Sequence, residues 1–190
     1  MRRMKKNKII FWVIWSVLVL LGPYFISKTV VFPKVFSDYG LTLNFLERLS
    51  GIFIFTLLFI QIVLGKSIHP IIYLLAVIHP LFQLIFNYKL FHILDPFYIY
   101  TQVCFLCKNK TELFYTFGRL AFWFLTIGVF AARKKLYIFN YFAFFFVALH
   151  GWFVGSDFRL SPLKYVFWLS VAVVFLTAAR KVLLKKEKGL

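Results

Sequence analysis

Residues 136–154, LYIFNYFAFFFVALHGWFV, form an apolar run that is long enough to cross a membrane as a helix and that contains one histidine, His150. A membrane-spanning helix needs about 20 mostly apolar residues to cross about 30 Å of hydrocarbon. Further runs of this kind occur at 9–31, 45–64, 68–88, 113–132 and 163–179. The sequence therefore predicts an all-α integral membrane protein, with residues 1–190 forming a single domain of six transmembrane helices.

The composition excludes an ordinary soluble domain. The chain is 62% hydrophobic and 15% charged, whereas soluble domains are about 45–50% apolar and about 25% charged. The net charge of +17 is also found in nucleic-acid-binding proteins, but here the basic residues collect at the ends of apolar runs, where they act as orientation signals. We therefore expect the lipid bilayer to be a partner and nucleic acid not to be one.

The same charges predict the orientation of the chain, because Lys and Arg accumulate in cytoplasmic segments. With the N-terminus inside, most of the 23 basic residues fall on the inner side, in residues 2–8, 133–135 and 180–188 and at Lys66. The run at 9–31 follows a basic head, but it is too long for the apolar region of a signal peptide. We expect a multi-pass protein of a bacterial inner membrane with both termini in the cytoplasm.

Two histidines lie within the predicted spans, His79 in the third and His150 in the fifth. These spans run in parallel, and at 1.5 Å per residue the two side chains stand roughly 17 and 21 Å from the inner surface. An ionisable side chain in hydrocarbon is costly and is by default a candidate functional residue. Two facing imidazoles can ligate a haem iron, although each could instead simply bond to a neighbouring helix.

Several short motifs resemble those of the ferric-reductase-like transmembrane domain family, nearest to its small MsrQ/YedZ type. They are IHP at 78–80, AARKK at 131–135, NY at 140–141, LHG at 149–151 and GSD at 155–157. The resemblance implies a six-helix bundle that holds b-type haem between the third and fifth helices. It also implies electron transfer from the cytoplasmic side to an outer acceptor, such as a methionine-sulfoxide reductase or an acceptor of the ferric-reductase type.

By position, His79 and His150 match the outer haem ligands of this family. Family members with two haems have a further histidine about 13 or 14 residues toward the cytoplasm on each helix. Here those positions hold Gly65 or Lys66 and Leu136 or Tyr137. The resemblance therefore implies one haem b.

Arg48 and Arg119 begin the second and fourth spans on the outer side. A guanidinium group matches a carboxylate bidentately, so both arginines are suited to bind haem propionates. The alternative is an interfacial arginine whose stem lies along apolar surface while its charge reaches water.

Cys104 and Cys107 form a C-x-x-C motif in the outer loop after the third span. The motif is compatible with a structural disulfide or with a redox-active pair. The second option gives an alternative function, that of a haem-free thiol and quinone redox protein. A non-catalytic scaffold or small transporter is a third possibility, although the predicted spans lack the internal acids of a proton relay.

The sequence contains no Gly-x-Gly-x-x-Gly motif for binding flavin or nicotinamide dinucleotides. An oxidoreductase component of this kind depends on a cytoplasmic flavin reductase or a membrane quinol as donor, so any flavin or quinone comes from a partner. The acceptor is a periplasmic or extracellular reductase.

We expect Tyr73, Trp123 and Phe146 to form the dry haem pocket. His69 is expected to be solvated at the inner surface, with an inner ligand or quinone contact as the alternative, and His92 is expected at the surface.

Overall fold

The computed structural model describes residues 37–65, 68–91, 96–131, 138–160 and 162–187, and these contain helices but no strand. The helices are α1 Tyr39–Leu64, α2 His69–Phe91, α3 Pro96–Thr101, α4 Lys110–Ala131, α5 Ile138–Phe153 and α6 Leu163–Glu187, with a 3-10 turn at Asp157–Arg159. The all-helical prediction is confirmed for this part of the chain. The first predicted span, 9–31, lies outside the described residues, as does His92.

Each of the other predicted spans corresponds to a helix, although the ends differ. Among the described residues, three helical segments are long and apolar enough to cross a membrane: Tyr39–Leu64, Lys110–Phe130 and Leu163–Leu183. Two shorter apolar helices are His69–Ile85 and Ile138–Phe153. Length and composition thus support membrane-spanning helices.

Local capping, rather than hydropathy, places the ends of α1. The Asp38 side chain accepts a hydrogen bond from the Leu41 amide at 2.9 Å, so α1 begins at Tyr39 instead of the predicted residue 45. At the other end Gly65 adopts φ +64°, and its amide donates to the Gln61 carbonyl. A left-handed residue of this kind ends a helix at little cost only when it lacks a Cβ.

Four of the helices form a ring. α1 packs against α2 and α5, and α4 packs against the same two helices, so that α2 and α5 occupy opposite corners. α6 lies outside the ring, against α1, α5 and the 3-10 turn. Because α2 and α5 face each other diagonally, the side chains that they turn inward meet in the space between the four helices.

An aromatic cluster joins α1 to α5, α6 and the 3-10 turn. The Phe55 ring of α1 stands 4.9 to 5.2 Å, between ring centroids, from the rings of Phe144, Phe158 and Phe167. Aromatic pairs at this separation are attractive beyond the area that they bury. This cluster fixes α1 against α5 and the 3-10 turn, directly beside the central space.

Candidate functional site

The two predicted histidines do meet in the centre of the ring. His79 projects from α2 and His150 from α5, and their ring centroids are 6.3 Å apart with the ring planes nearly perpendicular, at 88°. Two imidazoles that bind one metal ion from opposite sides, with bonds of about 2 Å, place their ring centroids about 6 Å apart. The separation of the pair therefore fits a shared metal ion.

Helix α1 fixes the orientation of His79. The Nδ1 atom of His79 lies 2.9 Å from the Glu47 carbonyl oxygen and 3.0 Å from the Ser50 hydroxyl. A carbonyl oxygen can only accept a hydrogen bond, so Nδ1 is the nitrogen that carries the proton. Nε2 then holds a lone pair, which is the form of histidine that binds metals.

Helix α4 fixes His150 in the same way. Its Nδ1 atom lies 3.0 Å from the Phe114 carbonyl oxygen, so Nδ1 again donates and Nε2 holds the lone pair. Among the described residues, the hydrogen bonds of both rings are made through Nδ1. Metal-binding histidines commonly donate their second N–H to a carbonyl or carboxylate, which fixes the tautomer and the ring direction.

A glycine on the supporting helix makes room for each ring. A Cβ atom added to Gly51 would lie 3.2 Å from Cε1 of His79, and one added to Gly118 would lie 3.0 Å from Nδ1 of His150. In both cases the glycine stands four residues after the carbonyl that accepts the bond, Glu47 or Phe114. A helical side chain covers the turn that precedes it, so a glycine here exposes that carbonyl to the imidazole. These glycines were missed in the sequence, although each interrupts an apolar run.

Both histidines line a cavity of about 520 Å³ that α1, α2, α4 and α5 enclose. Sites for cofactors and small molecules have volumes of about 300–1,000 Å³. Small residues along its wall, Gly51, Ala76, Gly118, Ala121 and Gly151, leave room for a flat ligand between the helices.

The prediction of which aromatic residues line this cavity is wrong. Tyr73, Trp123 and Phe146 do not line the cavity, whereas other rings do, namely Tyr100, Tyr115, Phe122 and Phe158. The Tyr73 ring stacks on the Phe122 ring, with 6.0 Å between their centroids. The difference arises because residues one position apart on a helix point in directions about 100° apart, and hydropathy does not tell which of two adjacent aromatics faces inward.

The donor set fits a haem better than a metal ion held by the protein alone. Among the described residues there is no cluster of three or more His, Cys, Asp or Glu side chains able to hold a metal ion. Among the described residues the Nε2 atoms of both imidazoles make no hydrogen bond, so the pair could hold a haem iron while the porphyrin supplied its other ligands.

Arg48 lines the cavity, but its guanidinium group is engaged within the protein. Nε donates to Oδ2 of Asp157 at 2.8 Å, and Nη2 donates to Oδ1 of the same carboxylate. The pair joins α1 to the 3-10 turn after α5. Asp157 is buried, and its pairing was not identified from the sequence, where it was noted only within the GSD motif at 155–157.

Arg119 also lines the cavity and fixes the outer loop above it. Its Nε atom donates to the Ile99 carbonyl at 3.1 Å and its Nη1 atom to the Gln102 carbonyl at 2.5 Å. Glu112 is a further partner, at 3.6 Å. Both predicted arginines are thus placed at the cavity, and each has partners within the protein.

Helix α3 closes part of the cavity through Tyr100. The Tyr100 hydroxyl donates to the Val77 carbonyl at 2.6 Å, in the turn of α2 that precedes Pro80. Burial, followed by the influence of Tyr73, raises the pKa of Tyr100 above its ordinary value of 10.0, so its hydroxyl remains a donor. The Trp123 indole donates to the Tyr100 carbonyl at 2.8 Å and anchors the same segment.

Cys104 and Cys107 are joined by a disulfide. The completely buried Thr116 of α4 holds this loop. Its hydroxyl accepts from the Cys104 amide at 2.9 Å and donates to the Cys104 carbonyl at 3.2 Å. The disulfide is compatible with both predicted options, a structural crosslink and a redox-active pair.

The expectation of a solvated His69 is wrong. His69 is only 6% exposed, its Nε2 lies 2.9 Å from the Leu125 carbonyl, and its Nδ1 lies 3.0 Å from the Gln61 amide nitrogen. Since the carbonyl requires a donor, Nε2 carries the proton and Nδ1 accepts from Gln61. With both nitrogens engaged, His69 links α1, α2 and α4 and has no free lone pair for a metal.

The chain matches no protein-family model, no curated protein and no solved structure.

Proposed function

We propose that this chain is a haem b-binding electron-transfer subunit of a bacterial inner membrane, with six transmembrane helices and both termini in the cytoplasm. The observation that carries the proposal is the His79–His150 pair. Two imidazoles face each other across a cavity, 6.3 Å apart between centroids, and each is held through Nδ1 by a carbonyl of a neighbouring helix.

In this proposal the residues of the chain would hold the haem and keep water away from it. His79 and His150 would hold a haem iron through Nε2, while Glu47, Ser50 and Phe114 keep both rings in the required tautomer. A bound haem would supply a centre that accepts and releases one electron at a time. Arg48 and Arg119 are the cationic side chains among the described residues that line the cavity, and we propose them as the partners of the two propionates.

We propose the donor from the absence of a dinucleotide-binding motif in this sequence, and the acceptor from the resemblance to the ferric-reductase-like family. A cytoplasmic flavin reductase or a membrane quinol supplies the electrons, because the sequence carries no dinucleotide-binding motif of its own. A periplasmic or extracellular reductase, of the methionine-sulfoxide or ferric type, receives them. The basic inner segments attract an acidic flavoprotein or anionic lipid.

Visible spectroscopy of the purified, haem-reconstituted protein tests this function. We expect wild type to show the reduced spectrum of a low-spin b-type haem with two histidine ligands. His79→Ala and His150→Ala should each lower haem affinity by at least about tenfold, since even the loss of a supporting residue costs metal sites this much. Added imidazole should restore the spectrum, because it can occupy the vacated position.

His69→Ala provides the matched control, because it removes a buried imidazole that does not line the cavity. This variant should keep the wild-type spectrum even if its thermal stability falls. Wild-type protein that shows no haem spectrum after reconstitution, or three histidine variants with equal haem content, would contradict the proposed function.

A further inference from the structure

We propose that the Cys104–Cys107 disulfide is a redox-active site that accepts electrons from the His79/His150 site, so that the chain reduces a disulfide at its outer face. The inference rests on the proposed function and names its acceptor. It is carried by the way in which α4 connects the disulfide to His150.

A short chain of bonds joins the two sites. His150 donates through Nδ1 to the Phe114 carbonyl at 3.0 Å. Phe114 is separated from Thr116 by one residue, Tyr115, whose ring centroid lies 6.1 Å from that of His150. The Thr116 hydroxyl then bonds to the amide and the carbonyl of Cys104, at 2.9 and 3.2 Å. Two hydrogen bonds and a three-residue stretch of backbone therefore link the imidazole to the disulfide.

The disulfide adds little as a structural crosslink. The stabilisation that a crosslink gives increases with the length of the loop that it closes, and this one joins residues only three positions apart. The same outer segment is already anchored to α4 by the bonds from Thr116, Arg119 and Trp123. A role in electron transfer accounts for a C-x-x-C pair at a place that needs no further anchor.

The disulfide lies in an exposed loop. Phe105 is 63% exposed and Leu106 is 99% exposed, while Cys104 and Cys107 are half-buried. The loop thus presents the disulfide at the surface of the molecule while Thr116 holds its inner side. Soluble thiol reagents can therefore reach the pair once it is reduced.

The reaction balances with a donor of the reduced-flavin class, whose potential is low enough to open a C-x-x-C disulfide. The reduced flavin gives up two electrons and two protons and becomes the oxidised flavin. The electrons would pass one at a time through a haem held by His79 and His150. The S–S bond of Cys104–Cys107 accepts both electrons and breaks, and each sulfur takes one proton to give two thiols.

Thiol counting tests the inference directly, because these two cysteines are the only ones in the sequence. The haem-loaded full chain is treated anaerobically with reduced flavin mononucleotide, quenched in acid and labelled with a maleimide that changes its migration on a gel. We expect two labels per wild-type chain. Apo-protein and His79→Ala should gain none on the same timescale.

Thr116 is a positioning residue in this scheme, and its variants separate electron transfer from folding. Thr116→Val keeps the shape but removes the hydroxyl, and we expect thiols to appear at least about tenfold more slowly, since small displacements of reacting groups lower rates steeply. Thr116→Ser should restore the rate. The double variant Cys104→Ser/Cys107→Ser should keep the wild-type haem spectrum.

The possible failures are distinguishable. Wild type without a haem spectrum overturns both proposals. A bound haem with no more thiols than apo-protein overturns this inference and leaves the proposed function intact, as does a haem that reduced flavin mononucleotide fails to reduce. Equal thiol formation in wild type, apo-protein and His79→Ala overturns it in favour of direct flavin–disulfide chemistry.

Discussion

At the scale of single residues, the buried histidines show one recurring arrangement. Each ring donates to a carbonyl of a neighbouring helix and packs against a nearby glycine of that helix: Gly51 for His79, Gly118 for His150 and Gly128 for His69. The glycine removes the side chain that would otherwise cover the carbonyl. His69 differs from the other two because its second nitrogen, Nδ1, accepts a hydrogen bond from the Gln61 amide.

This arrangement predicts that adding one methyl group will disturb haem ligation. Gly51→Ala and Gly118→Ala place a Cβ 3.2 and 3.0 Å from the rings of His79 and His150, so each ring must shift by a few tenths of an ångström. We expect haem affinity to fall by roughly 10–100-fold, as for other changes in the support of metal ligands. Haem titration followed by visible absorption measures the effect.

Gly128→Ala is the matched control, because its Cβ would stand 3.0 Å from the His69 ring, outside the cavity. It should lower thermal stability while haem affinity stays at the wild-type value. Equal loss of haem affinity in all three variants would show that general crowding, and not ring position, is responsible.

At the scale of helices, the Arg48–Asp157 pair connects elements that are far apart in the chain. It ties the first turns of α1 to the 3-10 turn after α5, and the two side chains are only 16% and 6% exposed. Sequence patterns placed both residues near the outer surface. They could not reveal the pairing, because it depends on how α1 and α5 are rotated about their axes.

Breaking this pair should destabilise the bundle. Arg48→Met leaves the buried Asp157 carboxylate without its Arg48 partner, which typically costs about 3–5 kcal/mol, and Asp157→Asn should cost less because Arg48 still lies near Glu47. Thermal unfolding of the detergent-solubilised protein measures the loss. The apolar double variant Arg48→Met/Asp157→Leu should recover much of it, because no unpaired charge remains. A double variant no more stable than either single variant contradicts this explanation.

At the scale of the whole molecule, the cavity and the disulfide loop lie toward one end of the bundle. The loop after α3 carries the disulfide, and the basic residues of the final helix, such as Arg180 and Lys181, lie toward the opposite end. With the orientation predicted from charge, the disulfide faces outward and the end of α6 faces the cytoplasm.

Cysteine labelling in cells tests this orientation. In a Cys104→Ser/Cys107→Ser background, Lys108→Cys and Lys181→Cys each introduce one exposed thiol. A membrane-impermeant maleimide should label the first in intact cells and the second only after the cells are made permeable. The reverse pattern would contradict the proposed topology.

The sequence by itself determined the helical membrane class and the two histidines of the site. These follow from composition and from the cost of an ionisable group in hydrocarbon, which depend on residue type alone. Only the tertiary structure decided which carbonyl holds each imidazole, which aromatics face the cavity, and that His69 is fully bonded. Those facts depend on the rotation and crossing of helices, which set distances to within an ångström and which hydropathy does not specify.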